Sequence, residues 1–305
     1  MKPGLLVRWT RKKQLKDNRA HFAAKNLQYS VDVQKDLNYM GDGSPFHTMD
    51  IYGPRGSDEV LPVILLIHGG GYVSCEKFIN AGQAGFLAQE GARVVNVNYS
   101  LQPEADFIDV MRELFCALHW IEQNAAAQRF DPKGICVSGD SGGGHYALLI
   151  AAIQNSPYLQ EYFGVEPLAA GLCGVAASCP MTELRTAAAG RDLTARFLRK
   201  NVLHGREKDE TFIDNISIPY LLDKCEYPEV FLLTTPTDPE LYAEAKRLHE
   251  TFDAKGVRHE YREYLSQSPE RTLGHVFNVT DPEWPESIAA NRELLAWFRG
   301  RRALR

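Results

Sequence analysis

Seven short apolar runs punctuate the chain: 47–53 (HTMDIYG), 62–68 (PVILLIH), 92–99 (ARVVNVNY), 134–139 (GICVSG), 171–177 (GLCGVAA), 229–235 (EVFLLTT) and 259–265 (HEYREYL). They are rich in Val, Ile and Leu, and several lack polar alternation, so the pattern predicts strands buried on both faces. Between them, apolar spacing predicts helices over about 80–90, 104–127, 142–154, 239–255 and 285–299, the fourth closed by Gly256 as its C-cap. Helices alternating with buried strands mean an α/β fold on a mostly parallel sheet. Residues 181–222 break the rhythm with helical spacing and no strong strand, as expected of a helical cap over one end of the sheet. The domain reading is therefore an N-terminal cap segment over 1–40 and a catalytic domain over 41–305 that carries the 181–222 insertion.

Composition narrows the class without changing this picture. The 305 residues are 44% hydrophobic and 24% charged, ordinary for a globular protein and unlike a disordered or collagenous chain. No apolar run approaches the roughly 18 residues of a membrane span, and the N-terminus has too short an apolar core for a secretory signal, so the expected location is cytoplasmic. The six cysteines (75, 116, 136, 173, 179, 225) show no CxxC pair or His-rich spacing, which predicts reduced thiols and no structural metal. Net charge is −5, yet residues 1–25 hold eight Lys or Arg against one Asp, leaving −12 on the remainder. The basic run reads as a solvated helical face, and the acidic remainder argues against a nucleic-acid partner.

The chemistry concentrates at ICVSGDSGGGHYALL, residues 135–149. A phosphate loop is set aside because no Lys follows the glycines. Gly142, Gly144 and Ala147 fit the looser GxGxxA dinucleotide pattern, but Glu161, about 20 residues on, sits in a loop-like stretch around Pro157 rather than at a strand end. The third reading is GxSxG, with Ser141 on a tight turn from strand to helix that small neighbours let project. Upstream, His68-Gly69-Gly70-Gly71-Tyr72 ends the most apolar strand, and successive glycines there can converge backbone N–H groups on an oxyanion. A serine nucleophile needs a general base oriented by a carboxylate, in the order Ser, Asp or Glu, His on this fold. Asp238 and His275 follow the last two apolar strands and satisfy that order; His249 lies mid-helix and His259 opens the last strand at the wrong end. Asp238-Pro239 also reads as a helix N-cap with proline at the first helical position.

Taken in order, HGGGY at 68–72, NYSLQPEA at 98–105, GDSGGG at 139–144, DPEL at 238–241 and GHVF at 274–277 resemble the bacterial hormone-sensitive-lipase-like esterases of the α/β-hydrolase superfamily. The similarity spans about residues 47–298. It implies an α/β-hydrolase fold, hydrolysis of short-chain acyl esters of small molecules, an N-terminal cap and no cofactor. By motif it makes Ser141 the nucleophile, completes the triad with Asp238 and His275, and assigns the oxyanion hole to the N–H groups of Gly70, Gly71 and Gly142. His68, Gly69 and Asp140 support that site, and Glu104 is expected to fix the loop after NYSL by hydrogen bonding or to be solvated. This chain departs from the pattern at Gly142, where alanine is common, at His145, where asparagine is common, and in a shorter acid loop. Two rivals remain: an amidase or formamidase on the same triad, and a non-catalytic ligand receptor on the same scaffold. Trp9, Phe22, Phe197, Phe212 and Tyr220 are candidates to line a pocket, and oligomeric state stays open.

Overall fold

The computed structural model describes residues 2–303. Eight strands form one sheet: β1 (Val31–Asn38), β2 (Thr48–Pro54), β3 (Leu61–Ile67), β4 (Arg93–Val97), β5 (Phe130–Asp140), β6 (Gly174–Ser178), β7 (Val230–Thr234) and β8 (His259–Glu263). Their spatial order is β1-β2-β4-β3-β5-β6-β7-β8; β4 through β8 run parallel, and β1 and β2 are antiparallel at one edge. Seven of the eight strands coincide with apolar runs. β1 does not, because it is a solvated edge strand, VDVQKDLN, with little buried surface to pattern its sequence. Residues 31–38 thus belong to the sheet, and the N-terminal segment outside it is α1 (Leu5–Lys25).

The remaining helices are α2 (Ala81–Gln89), α3 (Phe107–Gln123), α4 (Ala125–Gln128), α5 (Ser141–Gln154), α6 (Pro157–Phe163), α7 (Leu184–Ala189), α8 (Leu193–Asn201), α9 (Glu210–Asn215), α10 (Ile218–Leu221), α11 (Tyr242–Lys255), α12 (Phe277–Thr280) and α13 (Pro285–Ala303). Several helix boundaries differ from the sequence reading, including the start of α11 at Tyr242 and the end of α13 at Ala303. The helix expected over 104–127 begins at Phe107 because Asp106 caps it with a reciprocal capping box, and it breaks at Asn124. Glu161 lies in α6, capped by Ser156 with Pro157 at its start, rather than in a loop. Gly256 does close α11 in the left-handed conformation.

Alternation along β3 shows why its run is wholly apolar. Val63, Leu65 and Ile67 enter one core with α3 and α5, while Ile64 and Leu66 enter the other with α2 and α13. The sheet is covered on both faces, and its parallel strands deliver their C-terminal ends to one common edge. Helices α7 to α10 fill the 181–222 interval between β6 and β7. All six cysteines are free thiols.

Candidate active site

The turn after β5 sets the geometry. Ser141 has φ +53, a left-handed conformation that costs a non-glycine residue about 1–3 kcal/mol and persists only where its surroundings enforce it. Its neighbours enforce it by close approach. A Cβ on Gly139 would stand 2.2 Å from the Gly143 carbonyl oxygen, and one on Gly143 would stand 2.1 Å from that of Ile67. Only glycine lets the start of α5 press this tightly on the ends of β3 and β5.

The loop after β3 is built the same way. Gly70 has φ +115 and Gly71 φ +58, and a Cβ on Gly70 would meet the Ser74 carbonyl oxygen at 2.2 Å. Gly70 turns its own carbonyl to the N–H groups of Val73 and Ser74. Asp140 holds this loop: its Oδ2 accepts the Gly69 N–H at 3.0 Å, and its Oδ1 accepts from Asn80 Nδ2 at 2.9 Å. Burial pushes the Asp140 carboxyl up to about 6, against the lowering effect of Asn80, His275 and Gly69. The N–H groups of Gly70, Gly71 and Gly142 donate to no acceptor among the described residues. Gly142 lies in the first turn of α5, where backbone donors have no partner within the helix and the helix dipole favours negative charge.

Two aromatic contacts brace the loop. Tyr99 donates its hydroxyl to the His68 carbonyl at 2.6 Å and stacks on the His68 ring at 4.3 Å. His68 Nδ1 faces the Gly69 carbonyl at 2.7 Å, and burial pulls its pKa down to about 4, so it is neutral. Tyr72 joins His145 Nδ1 at 2.8 Å, tying the loop to α5. Burial takes His145 down to about 3, which makes it a neutral anchor rather than a second titrating group.

Asp238 lies in the loop after β7. Its Oδ1 accepts the N–H groups of Glu240 at 2.8 Å and Leu241 at 3.2 Å, a local turn in which the aspartate caps its own loop. The helix begins only at Tyr242, so Asp238 is not its N-cap, and Oδ2 is left to bond His275 Nδ1 at 2.8 Å. Burial alone would raise the Asp238 pKa; the His275 pairing and the two N–H donors outweigh it and hold the carboxylate low. Burial would lower His275, but Asp238 and Cys179 raise it above the ordinary histidine value. His275 also lies close enough to Asp140 to act on its charge, which links the two halves of the site.

Cys179 is the neighbour the sequence did not single out. It is fully buried just past β6 with φ +44, and one donor atom each from Cys179, Asp238 and His275 lie within 4.8 Å of one another. This thiol, imidazole and carboxylate set also has the chemistry to take a thiophilic divalent metal. The one hint in the sequence was position, at the C-terminal end of an apolar run.

Over this floor lies α1. Arg11 donates Nε to the Val73 carbonyl at 2.6 Å and Nη2 to the Gln102 carbonyl at 2.9 Å, and it forms a two-pronged pair with Glu104, both contacts at 2.7 Å. Glu104 thus fixes its loop through Arg11, and the basic helix is more than a solvated face. Lys25 pairs with Asp281 at 2.7 Å at the other end of α1. The cap meets the elbow where Met181 N–H donates to the Ser141 carbonyl at 3.3 Å. Of the aromatic candidates, Phe212 is buried beneath the Arg206 guanidinium, Trp9 and Tyr220 are exposed, Phe22 packs edge-on to Phe78, and Phe197 packs against the core.

The family model described as BD-FAE matches residues 49–250. Among curated relatives, esterase LipQ of Mycobacterium tuberculosis is 28% identical over 212 residues, 63% of this chain and 49% of that protein. Carboxylesterase NlhH of the same organism is 28% identical over 243 residues, 77% of this chain and 73% of its own. The chain therefore spans about half the length of LipQ. Among solved structures, esterase B from Lactobacillus Rhamnosis (HN001) superposes with a TM-score of 0.89 at 28% identity, covering 98% of this chain and 94% of that one.

Proposed function

The chain belongs to the BD-FAE family, among the hormone-sensitive-lipase-like esterases of the α/β-hydrolase superfamily, and from that premise we propose that it is a serine carboxylesterase for short-chain acyl esters. The observation that carries the reading is the left-handed backbone of Ser141 at a strand-to-helix turn, on the sheet edge that also holds the Asp238–His275 pair. The relatives named as esterases support it, and one form of esterase B was inhibited with a tributyrin phosphonate, a short-chain reagent.

In this reading His275 takes the proton from Ser141 Oγ through Nε2, since Nδ1 is held by Asp238. Ser141 Oγ bonds to the ester carbonyl carbon, and the carbonyl electron pair moves to oxygen. The N–H groups of Gly70, Gly71 and Gly142 receive that oxyanion, each such donor being worth about 100-fold to 1000-fold in turnover. Collapse expels the alcohol, which takes the proton from His275 and leaves an acyl-enzyme on Ser141. Water, deprotonated by His275, repeats the sequence and releases the acid. Asp238 keeps the imidazole oriented and stabilises its charged form.

The test is hydrolysis of p-nitrophenyl esters from acetate to dodecanoate, beside matched anilides. Rates that peak at the short acyl chains and exceed the anilide rates are expected. Faster anilide turnover would move the protein to the amidases, and folded protein inert toward the whole series would favour a ligand receptor.

A further inference from the structure

Toward the C-terminal end of α11, three potential metal ligands meet outside the site described above. His249 and Asp253 are one helical turn apart, and His259 opens β8 beside them. His249 Nδ1 lies 2.7 Å from His259 Nε2, while the Asp253 carboxylate stands 3.6 Å from His249 Nε2 and 3.8 Å from His259 Nε2. One donor atom from each of the three lies within 4.8 Å of the others. The rings are held in place: His249 stacks on Tyr261 at 4.2 Å, and Phe252 meets the His259 ring edge-on at 5.2 Å.

Hydrogen bonds orient the two rings. His259 Nδ1 is 2.8 Å from the Val257 carbonyl, which only accepts, so that nitrogen carries the proton and Nε2 presents a lone pair. An outer hydrogen bond of this kind orients imidazoles that bind metal. Without a metal, His249 Nδ1 donates to His259; for both nitrogens of this 2.7 Å contact to face one metal, the His249 proton moves to Nε2, where the Asp253 carboxylate lies 3.6 Å away.

We propose that His249, Asp253 and His259 form a binding site for a divalent transition metal, with zinc the best match to two imidazoles and a carboxylate. Zinc–nitrogen bonds of about 2.0–2.1 Å in tetrahedral geometry separate two ligand nitrogens by roughly 3.3 Å, so the rings need only open by about half an ångström. Asp253 is exposed, leaving a fourth position open to water. The metal would clamp the helix that follows Asp238 to the strand that precedes His275. The sequence expectation of no structural metal rested on linear spacing, whereas this set is assembled by the packing of α11 on β8.

Zinc chloride titrated into the full chain, followed by calorimetry and thermal melting, tests this independently of ester hydrolysis. The His275→Ala background removes the Cys179, Asp238 and His275 set from the measurement. There, zinc is expected to bind and raise Tm, with at least about tenfold weaker binding and no Tm rise once His249→Ala or Asp253→Asn is added. Absence of zinc binding in that background, or equal binding with and without the His249 and Asp253 substitutions, would overturn the site.

Discussion

The floor and the roof of the site are held by different physics. The floor, residues 68–72 and 139–145, is mostly buried, with Gly71 exposed and Gly70 and Ser141 partly so, and it is fixed by backbone approach: glycines packed against carbonyls, Asp140 on the Gly69 N–H, and Tyr72 on His145. The roof includes α1, which buries only Val7 and is fixed by side-chain ties such as Arg11 with Glu104, whose side chain is 40% exposed. Charge pairs in partial contact with water contribute little and exchange partners readily, whereas a buried donor left without an acceptor costs about 1–3 kcal/mol. Chemistry should therefore belong to the floor and substrate choice to the roof.

Substitutions can break that division, and the largest effect is expected at Asp238. Asp238→Asn keeps the shape but leaves His275 without its counter-charge, and turnover should fall by about four orders of magnitude as in comparable triads. The pH profile carries the sign. Only neutral His275 takes a proton, so the wild-type rate rises as pH climbs through its pKa, and the Asp238 pairing places that rise above the ordinary value of about 6.5. The residual activity of Asp238→Asn should rise at lower pH than that of wild type; an unchanged midpoint would detach Asp238 from the base.

Next comes Asp140→Ala, which orphans the Gly69 N–H and releases Asn80. Turnover should drop about 100-fold with little change in KM, the mark of a lost transition-state donor. A mainly KM effect would assign the loop to binding instead. Gly70→Val is a poor probe of the same loop, because any side chain there drives into the Ser74 backbone and disturbs the loop itself.

On the roof, Arg11→Ala should change kcat toward acetate by less than about threefold while shifting relative KM values across acyl lengths, since surface pairs are worth about 0–1 kcal/mol. A loss as large as that of Asp140→Ala would erase the distinction between floor and roof. The smallest effect is Gly142→Ala. A Cβ there stands 3.3 Å from the Tyr72 ring, which must give by a few tenths of an ångström, and the backbone N–H is retained. Activity should stay within about threefold, with stability changed by at most about 1 kcal/mol in thermal melts.

The same division explains what could be read from the chain. Buried parallel strands need apolar runs, so β3 through β7 announced themselves, and the floor glycines stood out because Gly139, Gly143 and Gly70 admit no Cβ. β1 is solvated and left no such mark. Asp238 and His275 emerged from their order along the chain. Arg11, Tyr72 and Cys179 did not, since a lysine-rich helix, an aromatic after a glycine turn and a lone thiol are each locally ordinary until tertiary packing gives them partners. His145 was noticed as a departure, and its partner, the Tyr72 hydroxyl, became apparent only in three dimensions.

The whole chemistry proposed for the site turns on Ser141 as nucleophile. Treating the protein with a p-nitrophenyl short-chain alkylphosphonate and measuring the intact mass, with peptide mapping, addresses it most directly. One phosphonyl adduct per chain is expected on Ser141, with ester hydrolysis lost in step with labelling and neither labelling nor turnover in Ser141→Ala. Labelling at another residue, or a Ser141→Ala variant that still turns over esters at the wild-type rate, would contradict it.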